Sequence, residues 1–152
     1  MSKKKKFLII LLIILVVIQF FIPTRNEGIA DGPNSMIVPE NVKTILQTSC
    51  YVCHSNHTEY PWYTNVQPVG WWMTNHVNEA KREINFSEFN TYKLKRKIKK
   101  MKEIREQLEE DEMPLSSYTL IHGNAKLSSE QRDILLKWAD STKSYLTDTL
   151  VH

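Results

Sequence analysis

The sequence predicts an all-α fold behind an apolar N-terminal segment, and three observations carry that expectation. Apolar residues recur at three- and four-residue spacing in several separate stretches, as they do on one face of a helix. No stretch alternates apolar and polar residues in the manner of a half-buried strand. Proline and glycine punctuate the chain between the periodic stretches. With 152 residues the chain has the length of one domain.

The first element opens with four lysines, Lys3 to Lys6, and continues as FLIILLIILVVIQFFI over 7–22, apolar apart from Gln19. As a helix this run spans roughly 24 Å, slightly less than the ~30 Å hydrocarbon core of a bilayer. Lysine side chains reaching outward and local thinning can cover the deficit. A cleaved signal peptide has the same basic-then-apolar order. Here, however, Pro23, Thr24, Arg25 and Asn26 follow the run, and the small-x-small triplet Gly28-Ile29-Ala30 lies further downstream than a cleavage site usually does. The expected segment is an uncleaved signal anchor over residues 1–22, a single-pass helix in the cytoplasmic membrane. Its lysines would stay in the cytoplasm and the C-terminal domain would face the periplasm or outside. The formal net charge of +3 belongs to those lysines, because from Asp31 onward 15 basic side chains face 16 acidic ones. Nothing in this balance supports a nucleic-acid partner.

Residues 23–38, PTRNEGIADGPNSMIV, hold two prolines, two glycines and few large apolar groups, and read as a linker. A domain over 39–152 follows. Pro39 sits where a helix can start, and Val42, Ile45 and Leu46 at i, i+3 and i+4 give that helix one packing face. After Pro68 the stretch VGWWMTNHVNEAKREI places Val69, Trp72, Met73 and Val77 in helical register. Ser87 is expected to cap a long helix reaching about Glu112, with Leu94, Ile98, Met101, Ile104 (or Arg105) and Leu108 along one stripe. Pro114 and Gly123 bracket a loop. Ser128 and Gln131 then make a capping box, opening a last helix with Ile134, Leu135, Trp138, Tyr145 and Leu146 near one face.

Both cysteines lie in CYVCHSNHTEYPWY, residues 50–63. Cys50-Tyr51-Val52-Cys53-His54 is Cys-x-x-Cys-His, the attachment pattern of a c-type haem. Two thiols at that spacing reach two vinyl groups on one porphyrin edge. The adjacent histidine then lies under the ring, where an imidazole nitrogen can ligate iron. Export fits this reading, since such haem is attached outside the cytoplasm. Two alternatives use the same cysteines. Zinc could take Cys50, Cys53 and His57 with His54, His76 or His122 as a fourth ligand, although no second cysteine pair exists to complete a usual site. A disulfide suits an oxidising compartment, but closing so short a loop stabilises little. A thioredoxin-like site would also need βαβ patterning, which is absent.

A six-coordinate iron needs a second donor. Met113 is the candidate, in Glu112-Met113-Pro114-Leu115 at the end of the long helix, where Pro114 stops the helix. Thioether ligation favours ferrous iron. His76, on the WWMTNHV helix, and His122, ahead of Gly123, are the alternatives. His57 is too close in sequence to His54 to reach the opposite face, and His152 is a chain end. Trp62, Trp71, Trp72, Tyr60 and Tyr63 read as pocket walls and core, where an indole or phenol can donate to a propionate. Seven basic residues between Lys93 and Lys102 precede six acidic ones between Glu103 and Glu112. Pairs such as Lys99–Glu103 and Lys102–Glu106 can form a ladder. The arrangement reads as a solvated face, or as a charged surface that steers redox partner proteins.

Together with PVGWWMTNHV, NFSEF, EMPLSSYTLIHGNAKLS and Trp138, the cysteine stretch resembles the haem-binding domain family of small exported single-haem proteins, over about residues 40–140. The resemblance implies a compact, cytochrome-c-like helical domain. It implies one covalent haem c on Cys50 and Cys53, with His54 as proximal and Met113 as distal ligand. The function expected is that of a membrane-anchored monohaem c-type cytochrome, a one-electron carrier rather than an enzyme. The alternatives are a haem-based sensor, small-ligand binder or peroxidase-like protein, and a zinc-stabilised interaction module.

Overall fold

Residues 2–151 are described by a computed structural model; His152 lies outside them. Seven α-helices occur among these residues. They are α1 (Lys3–Ile18), α2 (Glu40–Ser49), α3 (Tyr51–His54), α4 (Val69–Glu83), α5 (Leu94–Glu109), α6 (Ser116–Thr119) and α7 (Ser129–Val151). Short 3-10 turns cover Trp62–Asn65, Phe86–Thr91 and Gly123–Ala125. The β structure among the described residues is an isolated antiparallel bridge between Glu27 and His57. The chain is all-helical, as its periodicity predicts.

Helix α5 packs on α7, and α2 closes over α7. Met101 and Leu108 of α5 meet Leu135, Trp138 and Ala139 of α7 and Val42, Ile45 and Leu46 of α2 in one apolar cluster. Leu46, Met101 and Leu135 are essentially excluded from water, and burial of each such side chain stabilises by about 1.5–3 kcal/mol. The start of α7 is fixed by the expected capping box. The Gln131 amide donates to Ser128 Oγ (3.1 Å), and the Ser128 amide donates to Gln131 Oε1 (2.9 Å). The charge ladder on α5 also forms, with Lys99–Glu103 at 3.3 Å and Lys102–Glu106 at 3.2 Å. Arg105 extends it to Glu109 and to Asp140 of α7.

Several expectations need correction. The apolar helix runs over Lys3–Ile18, not Phe7–Ile22, because Ser2 Oγ accepts the Lys5 amide and starts it early. Among the described residues no helix is long and apolar enough to cross a membrane. Residues 23–38 are packed rather than a free linker from Asn26 onward. Gly28 donates to the Asn56 carbonyl (2.7 Å), Met36 donates to the Phe86 carbonyl (2.9 Å), and the Met36 side chain is buried in the core. Ser87 caps no long helix. It is buried in the Phe86–Thr91 turn, and α5 begins only at Leu94. The loop between Pro114 and Gly123 contains α6. Val69, Trp72 and Tyr145, expected to face inward, are exposed.

One glycine is dictated by close approach. A Cβ on Gly70 would clash with the Thr64 carbonyl oxygen and lie 2.8 Å from Gln67 Oε1. Gly70→Ala should therefore lower stability by about 1–3 kcal/mol in urea unfolding followed by circular dichroism. An unchanged midpoint would contradict this packing.

Candidate functional site

The cysteine stretch breaks the helix that delivers it. Helix α2 stops at Ser49, Cys50 departs from helical geometry with φ −127°, and the single turn α3 begins at Tyr51. The Cys53 and His54 amides both donate to the Cys50 carbonyl, at 3.2 and 2.9 Å. This tight turn puts Cys50, Cys53 and His54, spaced i, i+3 and i+4, on one side. Both cysteines are free thiols. Each residue keeps some exposed surface, yet the sulfur groups are desolvated. Burial, with the neighbouring Cys53, pushes the Cys50 thiol up to about 12, and burial also raises Cys53. Thiols held protonated in this way are poor candidates for a redox dithiol, which depends on a lowered pKa.

His54 is held by the C-terminal end of α4. Its Nδ1 lies 3.1 Å from the Ala80 carbonyl and 3.1 Å from the Ile84 carbonyl. Both partners are acceptors, so Nδ1 carries the proton and Nε2 keeps its lone pair. Burial lowers the pKa of the ring, partly offset by those two carbonyls, so the neutral form is favoured. A histidine that donates one ring N–H to backbone carbonyl and leaves the other nitrogen bare has the arrangement of a metal ligand. Phe86 meets the imidazole edge-on (6.3 Å between ring centres) and stacks on Tyr51 at 5.3 Å. The end of α4 is itself braced by Lys100 of α5, which pairs with Glu83 at 3.0 Å and with Glu103 at 2.6 Å.

The chain after His54 is clamped from two sides. Asn26 Nδ2 donates to the Ser55 carbonyl and to Thr58 Oγ1, both at 2.9 Å. Asn26 Oδ1 accepts from Lys81 Nζ, and its amide donates to Tyr60 Oη at 3.1 Å. From the other side, the Asn56 amide donates to Ser87 Oγ (2.9 Å), and its side chain joins Asn85 and Glu88. Sequence reasoning missed Asn26, Asn56, Phe86 and the two carbonyls. The one available signal was NFSEF, whose Asn85, Phe86, Ser87 and Glu88 all serve here.

Beside α3 lies a cavity of about 620 Å³, within the roughly 300–1,000 Å³ usual for organic ligands and cofactors. Tyr51, Val52 and Ser55 form one wall, and Tyr60, Tyr118 and His122 contribute to the others. Tyr118 and His122 stack at 4.3 Å. His122 Nδ1 donates to the Tyr118 carbonyl (3.2 Å), leaving Nε2 to accept from Tyr63 Oη at 3.4 Å. Burial, with Cys53 nearby, pushes the Tyr118 phenol up to about 12. The Tyr51 hydroxyl is buried without a hydrogen-bond partner, which an acceptor brought by a ligand would satisfy.

Of the residues singled out from sequence, Cys50, Cys53 and His54 stand together. Met113 is half-buried in the loop from α5 to α6; like Cys50, Cys53 and His54, it is not among the residues lining the cavity. That loop is set by Asp111, at φ 58°. The Glu112 amide returns to the Gln107 carbonyl at 3.0 Å, and Arg132 ties the Leu108 carbonyl and the Asp111 carboxylate. His76 sits on α4 with Nδ1 on the Trp72 carbonyl (3.1 Å) and its ring 4.3 Å from Trp72. His57 is exposed but borders the cavity. Among the described residues no three His, Cys, Asp or Glu side chains converge on a point that could hold a metal ion. The zinc reading therefore finds no ligand set. Two protonated thiols, a bare Nε2 on the same turn, a neighbouring cavity and an unpartnered phenol do fit a haem.

Comparison with known proteins agrees. A family model described as "Haem-binding domain" matches residues 13–141. No curated protein and no solved structure matches.

Asn26→Ala removes three side-chain hydrogen bonds around the His54 turn. It should cost about 1–3 kcal/mol in chemical unfolding and lower the haem recovered per chain. Unchanged stability and haem content would show that the clamp does not support the site.

Proposed function

The chain belongs to the haem-binding domain family, and from that premise we propose that it is a monohaem c-type cytochrome that carries single electrons. The observation that carries this reading is the His54 geometry, with Nδ1–H fixed on Ala80 and Ile84 and Nε2 left bare, one turn from two protonated thiols. Cys50 and Cys53 would hold the haem through thioethers to its two vinyl groups, an addition of S–H that needs no oxidant. His54 Nε2 would ligate its iron, and the hydrogen bonds at Nδ1 hold the ring orientation and raise its basicity as a donor. Met113 would supply the second ligand, with His76 or His122 as the alternatives. The haem would supply a one-electron couple. The protein's part is to keep that environment dry and the ligands fixed, so that little rearranges between oxidation states.

The same proposal seats the chain at the cytoplasmic membrane through residues 1–22, where α1 by itself is too short to cross and the turns to Phe21 lengthen it, with the domain in the periplasm and redox proteins as its partners. The lysine-first, apolar-second order of the N-terminus supports this orientation.

A second reading is a haem-based sensor, small-ligand binder or peroxidase-like protein. That reading needs an open or labile distal position.

The test is a visible spectrum of the holoprotein, oxidised and reduced, with a haem stain of the denatured chain. Haem should remain on the denatured chain, and Cys50→Ala with Cys53→Ala should abolish that retention. Met113→Ala should remove the iron–thioether absorption of the ferric form and lower the reduction potential. Rapid carbon monoxide binding to the ferrous wild-type protein, with no spectral effect of Met113→Ala, would replace the carrier by the sensor.

A further inference from the structure

The apolar N-terminal rod does not end freely. Past Ile18, the amides of Gln19, Phe20 and Phe21 donate to the carbonyls of Val16, Val17 and Ile18, each at 3.2 Å, and carry the hydrogen-bonded ladder to Phe21. There the domain grips it. Gln19 Nε2 donates to the Gln67 carbonyl (3.1 Å), and Gln19 Oε1 accepts the Gln67 amide (2.8 Å). The Trp71 indole Nε1 donates to the Phe21 carbonyl at 2.6 Å. Gln67 is buried, at 3% exposure, so the grip reaches into the body of the domain. Gln19 is the one polar side chain in the apolar run, and these bonds together with one to the Leu15 carbonyl (2.8 Å) occupy its amide.

Around this grip the domain shows water a set of large apolar side chains. Trp62 is 78% exposed and Trp72 52%, with Val66, Val69 and Trp71 also exposed, as are Phe20, Phe21 and Ile22 at the end of the rod; Trp71 joins the two through Phe21. None of the α1 side chains is buried against protein. We propose that this face, Trp62, Val66, Val69, Trp71 and Trp72 with the end of the rod, is a lipid-interface surface that seats the domain on the bilayer. The chemistry matches at both ends of the rod. Lysines stand at one end and indoles at the other, the residues that sit in the headgroup zones flanking hydrocarbon. Indoles combine an apolar ring with an N–H that needs a polar neighbour, and Trp71 has already found one in the rod. The three Gln19–Gln67 and Trp71–Phe21 bonds fix the angle between rod and domain, so the indoles are carried to a constant depth. This inference rests on the anchoring reading above.

The experiment uses the full-length holoprotein in nanodiscs of phosphatidylcholine and phosphatidylglycerol. A photoactivated diazirine is placed either next to the glycerol or at the acyl-chain end, and labelled peptides are read by mass spectrometry. The shallow probe should label the segment 62–72, and the deep probe only α1. In a Gln19→Ala, Trp71→Phe double variant, shallow labelling of 62–72 should fall by about a hundredfold, the scale of three lost hydrogen bonds, with α1 labelling unchanged. Labelling of α1 but not of 62–72 overturns the seat while leaving the anchor standing. Attachment of 62–72 to a second copy of the chain instead of to lipid also overturns it. Absence of label on both segments overturns the anchor and the seat together.

Discussion

A single, largely desolvated imidazole organises this domain. His54 gives its Nδ1 proton to the last carbonyls of α4, and that bond needs three elements in register at once. The turn α3 must break from α2 at Cys50. Helix α4 must end at Glu83 so that the Ile84 carbonyl is free to turn inward. The Phe86 turn must follow at once to close the ring's edge. A buried neutral imidazole without a partner would cost about as much as any unsatisfied polar group, so these constraints enforce each other. Lys100 adds the frame behind them by tying Glu83 to α5. The main core thus reaches the site through one buried ammonium group.

The electrostatics favour neutrality at the site. Burial favours the uncharged forms of Cys50, Cys53, His54, Tyr51 and Tyr118. The charges nearest the site are paired or hydrogen-bonded, Lys100 with Glu83, Lys81 with Asn26 and Glu88 with Asn56. A neutral, desolvated setting is also where ligand identity and hydrogen bonding weigh most heavily on a metal's behaviour.

What could be read from the sequence was local. The helix over Val42, Ile45 and Leu46, the Ser128–Gln131 box and the α5 ladder depend on residues three or four apart, and each appears as read. The failures involve long separations. Residues 23–38 looked like a linker because few of them are large and apolar, but they are held by polar bonds to Asn56, Thr58 and Phe86 that no periodicity encodes. Ser87 has the right chemistry for a cap, yet its hydroxyl is used by Ala30 and Asn56. Trp72 sits in helical register with Met73, but the face of α4 that turns inward carries Met73, Thr74 and Val77. Met113 is a separate case: its reading as a ligand rests on its place after the long helix, its proline neighbour and the family resemblance, and it remains a proposal. The structure supplies the reason for its loop, Asp111 and Arg132.

The clamp on the His54 turn also sets an order of events. Asn26 arrives from one flank and Asn85 to Glu88 from the other, each about thirty positions away along the chain. Contacts that distant close late relative to a local turn. With both flanks closed, the two thiols are desolvated and poorly ionised. Chemistry at Cys50 and Cys53 that needs a thiolate is therefore easier in a chain whose flanks are still open.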